Sequence, residues 1–195
     1  MRNFKDKVVY QIYPRSFMDT NNDGIGDLKG IISKLDYLKE LGIDYIWLNP
    51  IFPSPQADNG YDVSDYCAID PTFGTMEDLE ALIDEASKRN IYLMFDMVFN
   101  HSSTEHKWFK EALKGNEKYK NYYFFKKGKD GKLPTNWCSK FGGPAWKYVP
   151  EFDEYYLHLY DEKQADLNWE NEEVRSEFIQ ILNFWIKKGI RGFRF

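Results

Sequence analysis

A short acidic loop, DTNNDGIGD, is the first stretch whose residue types could do chemistry. Oxygen-bearing side chains recur at alternate positions with a glycine at the bend, as in loops that wrap hard cations such as Ca²⁺. Gly30 stands where an EF-hand has its bidentate glutamate, and no helix precedes the loop, which argues against an EF-hand. The pattern predicts a Ca²⁺ or Mg²⁺ site of another kind, with an acidic turn rich in Asx bends as the alternative. The predicted ligands are Asp19, Asn21, Asp23, the carbonyl of Ile25, and Asp27.

A second motif, DMVFNH, runs from Asp96 to His101 and follows an apolar run. A carboxylate, an amide and an imidazole at the C-terminal end of a parallel strand occupy the place where barrel enzymes keep their chemistry. From this motif alone, two readings are equally open. Asp96 could instead cap the next element, and His101 could be a hydrogen-bonded core histidine.

A third motif, DNGYD, spans Asp58 to Asp62 on a loop after a proline-rich turn. An aromatic ring can stack on the face of a sugar while a carboxylate accepts hydrogen bonds from its hydroxyl groups. The signal is weak by itself, and a plain loop is the alternative.

The elements that must position these motifs alternate between strands and helices. The run 91–99 is continuous enough to predict burial on both faces. The predicted strands are VVYQIY (8–13), IDYIWL (43–48), IYLMFDMVF (91–99) and the terminal RGFRF (191–195).

Three amphipathic patterns predict helices between those strands. The first begins at Ile31 and ends at Gly42. The second opens at Thr75, where Asp78 three residues on resembles a capping box. The third begins after Asn171 and has the apolar stripe Val174, Phe178, Ile181 and Trp185.

Strand–helix alternation of this kind is typical of parallel βα units, so the fold class is α/β. The stretch 101–170 is too long for a plain βα loop and predicts an inserted subdomain. The remaining parts, 1–100 and 171–195, suit either half of a barrel or a doubly wound sheet. No glycine-rich phosphate loop follows the first strand, which weakens the nucleotide-binding version.

Composition narrows the class of protein. With 195 residues, 43% hydrophobic and 29% charged, the chain is long enough for one folded domain. The net charge of −5 gives no case for binding nucleic acid or an anionic membrane. No signal segment or membrane span is predicted, and Cys67 and Cys138 have no metal spacing, so a cytoplasmic protein with free thiols is expected. Core packing is the preferred explanation for the 18% aromatic content, with sugar-stacking surfaces as the other.

Eight stretches in this order resemble the N-terminal part of the α-amylase superfamily, glycoside hydrolase family 13. The most similar group is the intracellular oligosaccharide α-glucosidases, which include oligo-1,6-glucosidases and trehalose-6-phosphate hydrolases. The resemblance covers essentially the whole chain and is carried by YQIYPRSF, DTNNDGIGDLKGI, LKELGIDYIWLNPIF, DNGYDVSDY, FGTMEDL, DMVFNH, YYLHLYDEKQADLNWEN and GFRF.

The resemblance implies βα units 1–3 and strand 4 of a (β/α)8 TIM barrel, with a small subdomain inserted after strand 3. It implies a retaining reaction in which an aspartate attacks the anomeric carbon and a glutamate protonates the leaving oxygen. It also assigns roles: Asp58 holds hydroxyls of the terminal glucose, Tyr61 stacks beneath that ring, and His101 donates to a ring hydroxyl. Asp96 maintains the local hydrogen bonds. The other residues implied to bind substrate are Phe141, Tyr160, Gln164 near the entrance, and Arg194.

Two departures affect the expected substrate. Ala165 stands where oligo-1,6-glucosidases more often have proline, and Tyr160 stands where phenylalanine is expected. QADLNWEN with SKFGG favours a trehalose-6-phosphate hydrolase, with an oligo-1,6-glucosidase on isomalto-oligosaccharides as the alternative. The lysines of the inserted region could attract a phosphorylated sugar, but a solvated face is the preferred explanation: 126, 127, 129, 132, 140 and 147.

The resemblance also implies that the nucleophilic aspartate follows directly after Phe195, with Arg194 lowering its pKa. The chain alone is therefore expected to be inactive, and a non-catalytic sugar-binding fragment is a further alternative for its function. A half-barrel exposes sheet edges and an apolar interior, so we expect it to self-associate or to need the missing C-terminal half of the barrel.

Overall fold

The computed structural model describes residues 4–195. They form two compact units, each described by itself below. The sheet unit comprises the described residues up to Pro53, Cys67–Met97 and Leu182–Phe195. The inserted unit comprises Ser54–Tyr66 and Val98–Ile181.

These units do not divide the chain at the predicted domain boundaries, which were 1–100 with 171–195 and 101–170. The main difference is that Ser54–Tyr66 belongs to the inserted unit. Tyr66 explains part of this, because its hydroxyl donates to the carbonyls of Val98 at 3.0 Å and His101 at 2.7 Å. The first three positions of the predicted barrel part lie outside the described residues.

The elements of the described residues are numbered here in chain order. The helices are α1 (Leu28–Ser33), α2 (Leu35–Glu40), α3 (Met76–Lys88), α4 (Lys107–Leu113), α5 (Glu117–Lys120) and α6 (Glu172–Lys188). The strands are β1 (Val9–Ile12), β2 (Tyr45–Leu48), β3 (Tyr92–Asp96), β4 (His101–Ser103), β5 (Phe125–Lys126), β6 (Trp146–Val149), β7 (Glu154–Leu157), β8 (Gln164–Asp166) and β9 (Gly192–Arg194).

The sheet unit contains a parallel sheet with strand order β1-β2-β3-β9, which confirms the four predicted strands. Alternate residues of a strand face opposite sides of the sheet. Leu93 and Phe95 are buried, and the Phe95 ring lies 5.0 Å from Trp185 of α6. Tyr92 and Met94, on the other side of β3, are only partly buried. Asp96, on the same side as Tyr92 and Met94, is buried, so the predicted burial on both faces is confirmed only in part.

The predicted helix at 31–41 is two helices that meet at Lys34, and the first begins earlier, at Leu28. Asp27 explains the early start, because its carboxylate accepts a hydrogen bond from the backbone N–H of Gly30 at 2.7 Å and caps α1. Gly30 is required here: a Cβ at this position would lie 1.9 Å from the Met18 carbonyl oxygen. The predicted capping box of Thr75 and Asp78 at α3 is confirmed.

The inserted unit is mainly antiparallel and aromatic. Strand β4 pairs with β8, and a separate sheet has the order β5-β7-β6. Its core includes Tyr66, Trp108 and Phe178, whose rings lie 5.1–6.1 Å apart. Much of the aromatic content is thus core packing, as preferred from the composition.

His106 is a buried cap of helix α4 in this unit. Its Nδ1 accepts a hydrogen bond from the backbone N–H of Trp108 at 3.1 Å, and its ring lies 4.3 Å from the Trp108 ring. Burial lowers the pKa of His106 to about 3. The side chain is therefore neutral and structural across the physiological pH range.

The low pKa of His106 predicts a pH-dependent loss of stability. Below the ordinary histidine pKa of about 6.5, the unfolded chain binds a proton that the folded chain excludes, so the folded state loses stability as pH falls. Relative to the His106→Asn variant, whose amide can still cap the helix, the loss should reach about 2 kcal/mol near pH 5 and vanish above about pH 7. Urea denaturation of both proteins across this range measures it. Stability curves that stay parallel would contradict the assignment.

Candidate functional site

Asp96 and Arg194 form one group of predicted site residues, in the sheet unit. They are register partners at the ends of β3 and β9, and Arg194 Nη1 lies 2.9 Å from Asp96 Oδ1. The other carboxylate oxygen accepts a hydrogen bond from Trp47 Nε1 at 3.2 Å. The Arg194 guanidinium also lies 5.1 Å from the centre of the Trp47 ring. Asp96 is buried and Arg194 is about half exposed, so the carboxylate fixes an arginine that still reaches the surface of this unit.

The cation loop also lies in the sheet unit. Asp19 accepts hydrogen bonds from the backbone N–H groups of Asn21, Asn22 and Gly24 at 2.8–3.0 Å. The Gly24 bond makes the largest contribution to lowering the pKa of Asp19. Asn21 and Asp23 each accept a bond from the N–H two residues on. The loop thus holds its side-chain oxygens in successive Asx turns.

Asp27 differs from the other predicted carboxylate ligands because it is buried and caps helix α1. One of its carboxylate oxygens accepts from Gly30, and the other accepts from the backbone N–H and the hydroxyl of Thr20 at 2.9 and 2.8 Å. Burial raises its pKa, but the bonds from Thr20 and Gly30 outweigh burial and lower it. Within residues 4–195, no group of three or more His, Cys, Asp or Glu side chains is arranged to hold a metal ion. The oxygen donors suit a hard cation in kind, and the site stays a prediction.

In the inserted unit, the DNGYD loop is organised around Asp62. This fully buried carboxylate accepts bonds from Ser54 Oγ at 2.7 Å and from the backbone N–H groups of Ala57 and Asp58 at 2.9 and 3.0 Å. Whereas the backbone N–H of Asp58 donates to Asp62, the side chain of Asp58 accepts a bond from Gln164 Nε2 at 2.8 Å. Asp62 therefore shapes the loop, and Asp58 is the partly exposed acid that the loop presents.

Gln164, which was expected near the site entrance, is held by hydrogen bonds at both ends of its side-chain amide. It is fully buried, and its Oε1 accepts a hydrogen bond from the backbone N–H of Asp161 at 2.8 Å while its Nε2 donates to Asp58. Its amide is thus committed at both ends. Within this unit Gln164 orients Asp58.

His101 lies in the same network. Its Nε2 is 3.0 Å from the carbonyl oxygen of Tyr61, and its Nδ1 is 3.1 Å from Asn100 Nδ2. Asn100 Nδ2 also donates to Asp166 Oδ1 at 3.0 Å. Burial lowers the pKa of His101, so the ring is neutral near pH 7.

Asp166 is buried opposite His101 in the β4–β8 pair. Burial raises its pKa to about 6, although bonds from the Leu159 N–H and from Asn100 oppose the shift. Perturbed carboxyl groups of this kind are concentrated at functional sites. Asp166, Asn100 and Trp47 were not among the predicted site residues. The only signal for the first two was their position inside the QADLN and DMVFNH motifs.

Phe141 and Tyr160 form an aromatic wall in the inserted unit. Their ring centres lie 5.9 Å apart in a T-shaped contact, and Tyr160 is 5.3 Å from the His101 ring. Phe141 is 60% exposed, which suits a ring that stacks on a ligand. Both residues line a cavity of about 410 Å³, together with Ser139, Pro144, Lys147, His158 and Glu162.

The geometry defines an α/β protein that carries partly exposed acid and aromatic groups on an inserted unit. The family model described as the alpha amylase catalytic domain matches residues 11–195. The chain belongs to this family.

The similarity extends to individual relatives. An oligo-1,6-glucosidase of Bacillus cereus is 60% identical over 192 residues, which cover 98% of this chain and 34% of that protein. The crystal structure of Bacillus licheniformis trehalose-6-phosphate hydrolase has a TM-score of 0.96 at 58% identity, covering 98% of this chain and 35% of that one. Isomaltulose synthase from Protaminobacter rubrum has a TM-score of 0.97 at 50% identity, covering 100% and 35%. The chain therefore spans about a third of the length of these relatives.

The Gln164–Asp58 bond predicts the behaviour of the variant Gln164→Glu. Glutamate keeps an acceptor for the Asp161 N–H but places a carboxylate against Asp58, so the variant should lose about 1–3 kcal/mol of stability near pH 8. The loss should shrink near pH 5, because two adjacent carboxylates share one proton. Thermal denaturation at both pH values measures this. Gln180→Glu adds the same charge at an exposed position and is the control; an equal deficit in both variants would refute the role of Gln164.

Proposed function

We propose that this chain is the N-terminal part of a retaining α-glucoside hydrolase that acts on small α-glucosides in carbohydrate catabolism. The observation that carries the proposal is the network in the inserted unit in which Gln164 fixes Asp58 and His101 lies against the Tyr160 ring, which in turn contacts Phe141. Acids that bind hydroxyl groups and rings that stack on a pyranose are what a glucose pocket requires. The 58–60% identity to glucoside-hydrolysing relatives supports it.

Each of the candidate residues would have its own role in binding or positioning the sugar. Asp58 would hold the outer hydroxyls of the terminal glucose, and Tyr61 would stack beneath the ring. His101 would donate to a ring hydroxyl by sharing the Nε2 proton that faces the Tyr61 carbonyl, and Phe141 and Tyr160 would line the wall. Arg194, fixed by Asp96, would steady a nucleophilic aspartate that we place directly after Phe195, and a glutamate beyond it would be the general acid.

The four parallel strands support a finer proposal about the fold. We place them as strands 1–4 of a (β/α)8 barrel, with the subdomain inserted after the third. The second half of that barrel is the partner proposed for the sheet unit, and self-association of the chain is the alternative. Val9 on the edge strand β1 is 41% exposed, which supports such a partner. The 195-residue chain by itself is proposed to be inactive.

For the substrate, we propose trehalose-6-phosphate, with isomalto-oligosaccharides as the alternative. The QADLN and SKFGG segments support the first, and the identity to oligo-1,6-glucosidase supports the second. Sucrose isomerisation is a third candidate, because isomaltulose synthase matches with a TM-score of 0.97, close to the 0.96 of trehalose-6-phosphate hydrolase. The six lysines of the inserted region that could attract a phosphate are all exposed, and Lys147 pairs with Glu162 at 2.8 Å.

We propose a cytoplasmic enzyme that binds neither nucleic acid nor membrane, which the net charge of −5 supports. Among residues 4–195, no helix is long and apolar enough to cross a membrane.

Turnover by the complete product of the gene that encodes this chain tests the function. We expect hydrolysis of p-nitrophenyl-α-glucoside and of trehalose-6-phosphate, with a higher kcat/KM for trehalose-6-phosphate than for isomaltose and with retention at the anomeric carbon. Asp58→Asn should lower kcat/KM by about 10-fold or more, because a charged hydrogen bond to the sugar is lost. Asp84→Asn, at an exposed position of α3, is the matched control. Absence of turnover on every α-glucoside would refute the proposal, and isomaltulose production from sucrose would favour the third candidate.

We also propose a structural Ca²⁺ or Mg²⁺ in the loop Asp19–Asp27. The variant Asp23→Asn keeps the Asx turn to the Ile25 N–H but removes one negative charge from the loop. It should weaken Ca²⁺ binding by about 10-fold while changing the melting temperature in EDTA very little. Isothermal titration and thermal denaturation measure the two effects. Asp130→Asn is the control. A wild-type protein whose melting temperature does not change when Ca²⁺ or Mg²⁺ is added would overturn the site.

A further inference from the structure

Strand β8 is linked by hydrogen bonds to Asp58 and to the neighbour of His101, and both Asp58 and His101 are proposed to bind the sugar. Its pairing with β4 sets His101 opposite Asp166 and Ser103 opposite Gln164. All three residues of β8 are buried. Gln164 bonds to Asp58, whereas Asp166 bonds to Asn100, the neighbour of His101. The strand itself exposes no polar side chain, so its influence on a ligand passes through these neighbours.

The Asp166 carboxylate determines which way the Asn100 amide points. Its Oδ2 accepts a hydrogen bond from the Leu159 N–H at 2.6 Å, and its Oδ1 is 3.0 Å from Asn100 Nδ2. An ionised carboxylate can only accept, so the NH₂ end of Asn100 must face it. The same NH₂ group is 3.1 Å from His101 Nδ1 and has a second hydrogen to donate. Nδ1 therefore accepts and carries no proton.

The other ring nitrogen leads independently to the same tautomer. His101 Nε2 lies 3.0 Å from the carbonyl oxygen of Tyr61. A carbonyl cannot donate, so Nε2 must carry the proton. The burial that keeps this ring neutral makes the choice between two tautomers meaningful, since an imidazolium would be protonated on both nitrogens.

We propose that Asp166 is a positioning residue that, through Asn100, holds His101 in the neutral tautomer protonated on Nε2. The ring then presents an N–H donor on the side of Tyr61, whose own ring is proposed to stack beneath the sugar. In the opposite tautomer, Nε2 would be an acceptor facing a carbonyl. The importance of this tautomer for catalysis rests on the proposed function, whereas the tautomer itself does not.

Asp166→Asn is the decisive variant because an amide cannot satisfy both neighbours. If its oxygen accepts from Asn100, its NH₂ group opposes the Leu159 N–H. If its oxygen accepts from Leu159, its NH₂ group faces Asn100, which must turn its own oxygen toward His101 Nδ1. That oxygen favours a proton on Nδ1 while the Tyr61 carbonyl still favours one on Nε2, so the single tautomer is lost.

The tautomer is read from ¹⁵N chemical shifts of the histidine rings in the ¹⁵N-histidine-labelled protein at neutral pH. His101→Gln assigns the signals among the three histidines. We expect the wild-type His101 to be protonated on Nε2, and Asp166→Asn to lose that single tautomer. Asn100→Asp, at an exposed position, also places an acceptor oxygen against Nδ1, so it should lose the single tautomer too and serves if Asp166→Asn fails to fold. Ser102→Ala is the matched control. Ser102 is a buried β4 residue whose hydroxyl bonds to Tyr123 at 2.7 Å, outside the relay that runs from Asp166 through Asn100 to His101.

Two results would overturn the proposal: a wild-type His101 protonated on Nδ1, or an unchanged Nε2 tautomer in both relay variants. Kinetics on the complete gene product separate the proposal from the proposed function. Asp166→Asn should lower kcat by about tenfold and alter its pH profile, while Ser102→Ala keeps the wild-type profile. The expected tautomers in a protein without glucosidase activity would refute the proposed function alone. An unchanged kcat and pH profile despite loss of the single tautomer would refute the positioning role.

Discussion

The candidate sugar-binding groups of the inserted unit depend on one short antiparallel contact, the pairing of His101–Ser103 with Gln164–Asp166. It joins segments that are more than 60 positions apart in the sequence. A shift of the register by one residue would turn Asp166 and Gln164 to the opposite face. Because both side chains are buried and hydrogen-bonded, such a shift would leave several polar groups without partners. The backbone pairing and the side-chain network therefore require each other.

The same rule of satisfied buried polar groups explains the role of each acid. Asp62 and Asp96 are buried because backbone or side-chain donors surround them. Asp58 stays partly exposed, since its loop is shaped by Asp62 and its orientation is set by Gln164. The buried Asp62 thus fixes the conformation of the loop, and the partly exposed Asp58 remains accessible to a ligand. Asp166 follows the first pattern, and its raised pKa shows how strongly burial acts on it.

The local signals predicted much of the fold. The capping box at Thr75, the apolar stripe of α6 and the four strands are confirmed because each depends on residues close together in sequence. The break at Lys34 and the early start of α1 were missed, because Asp27 was assigned to a cation and its role as a helix cap depends on the fold around Gly30. The partial exposure of Met94 was missed for a similar reason: an apolar run does not reveal how many faces of a sheet are covered.

The sequence by itself determined the family, the alternation of strands and helices, and the residues Asp58, Tyr61, Asp96, His101 and Arg194 as candidates, because motif order and residue type are properties of the chain. Only the tertiary structure decided how these candidates are held. The burial of Gln164, the relay from Asp166 through Asn100 to His101, and the contact of Trp47 with both Asp96 and Arg194 join residues from distant segments. The direction of a hydrogen bond depends on what each donor faces in space, and spacing along a chain does not contain that information.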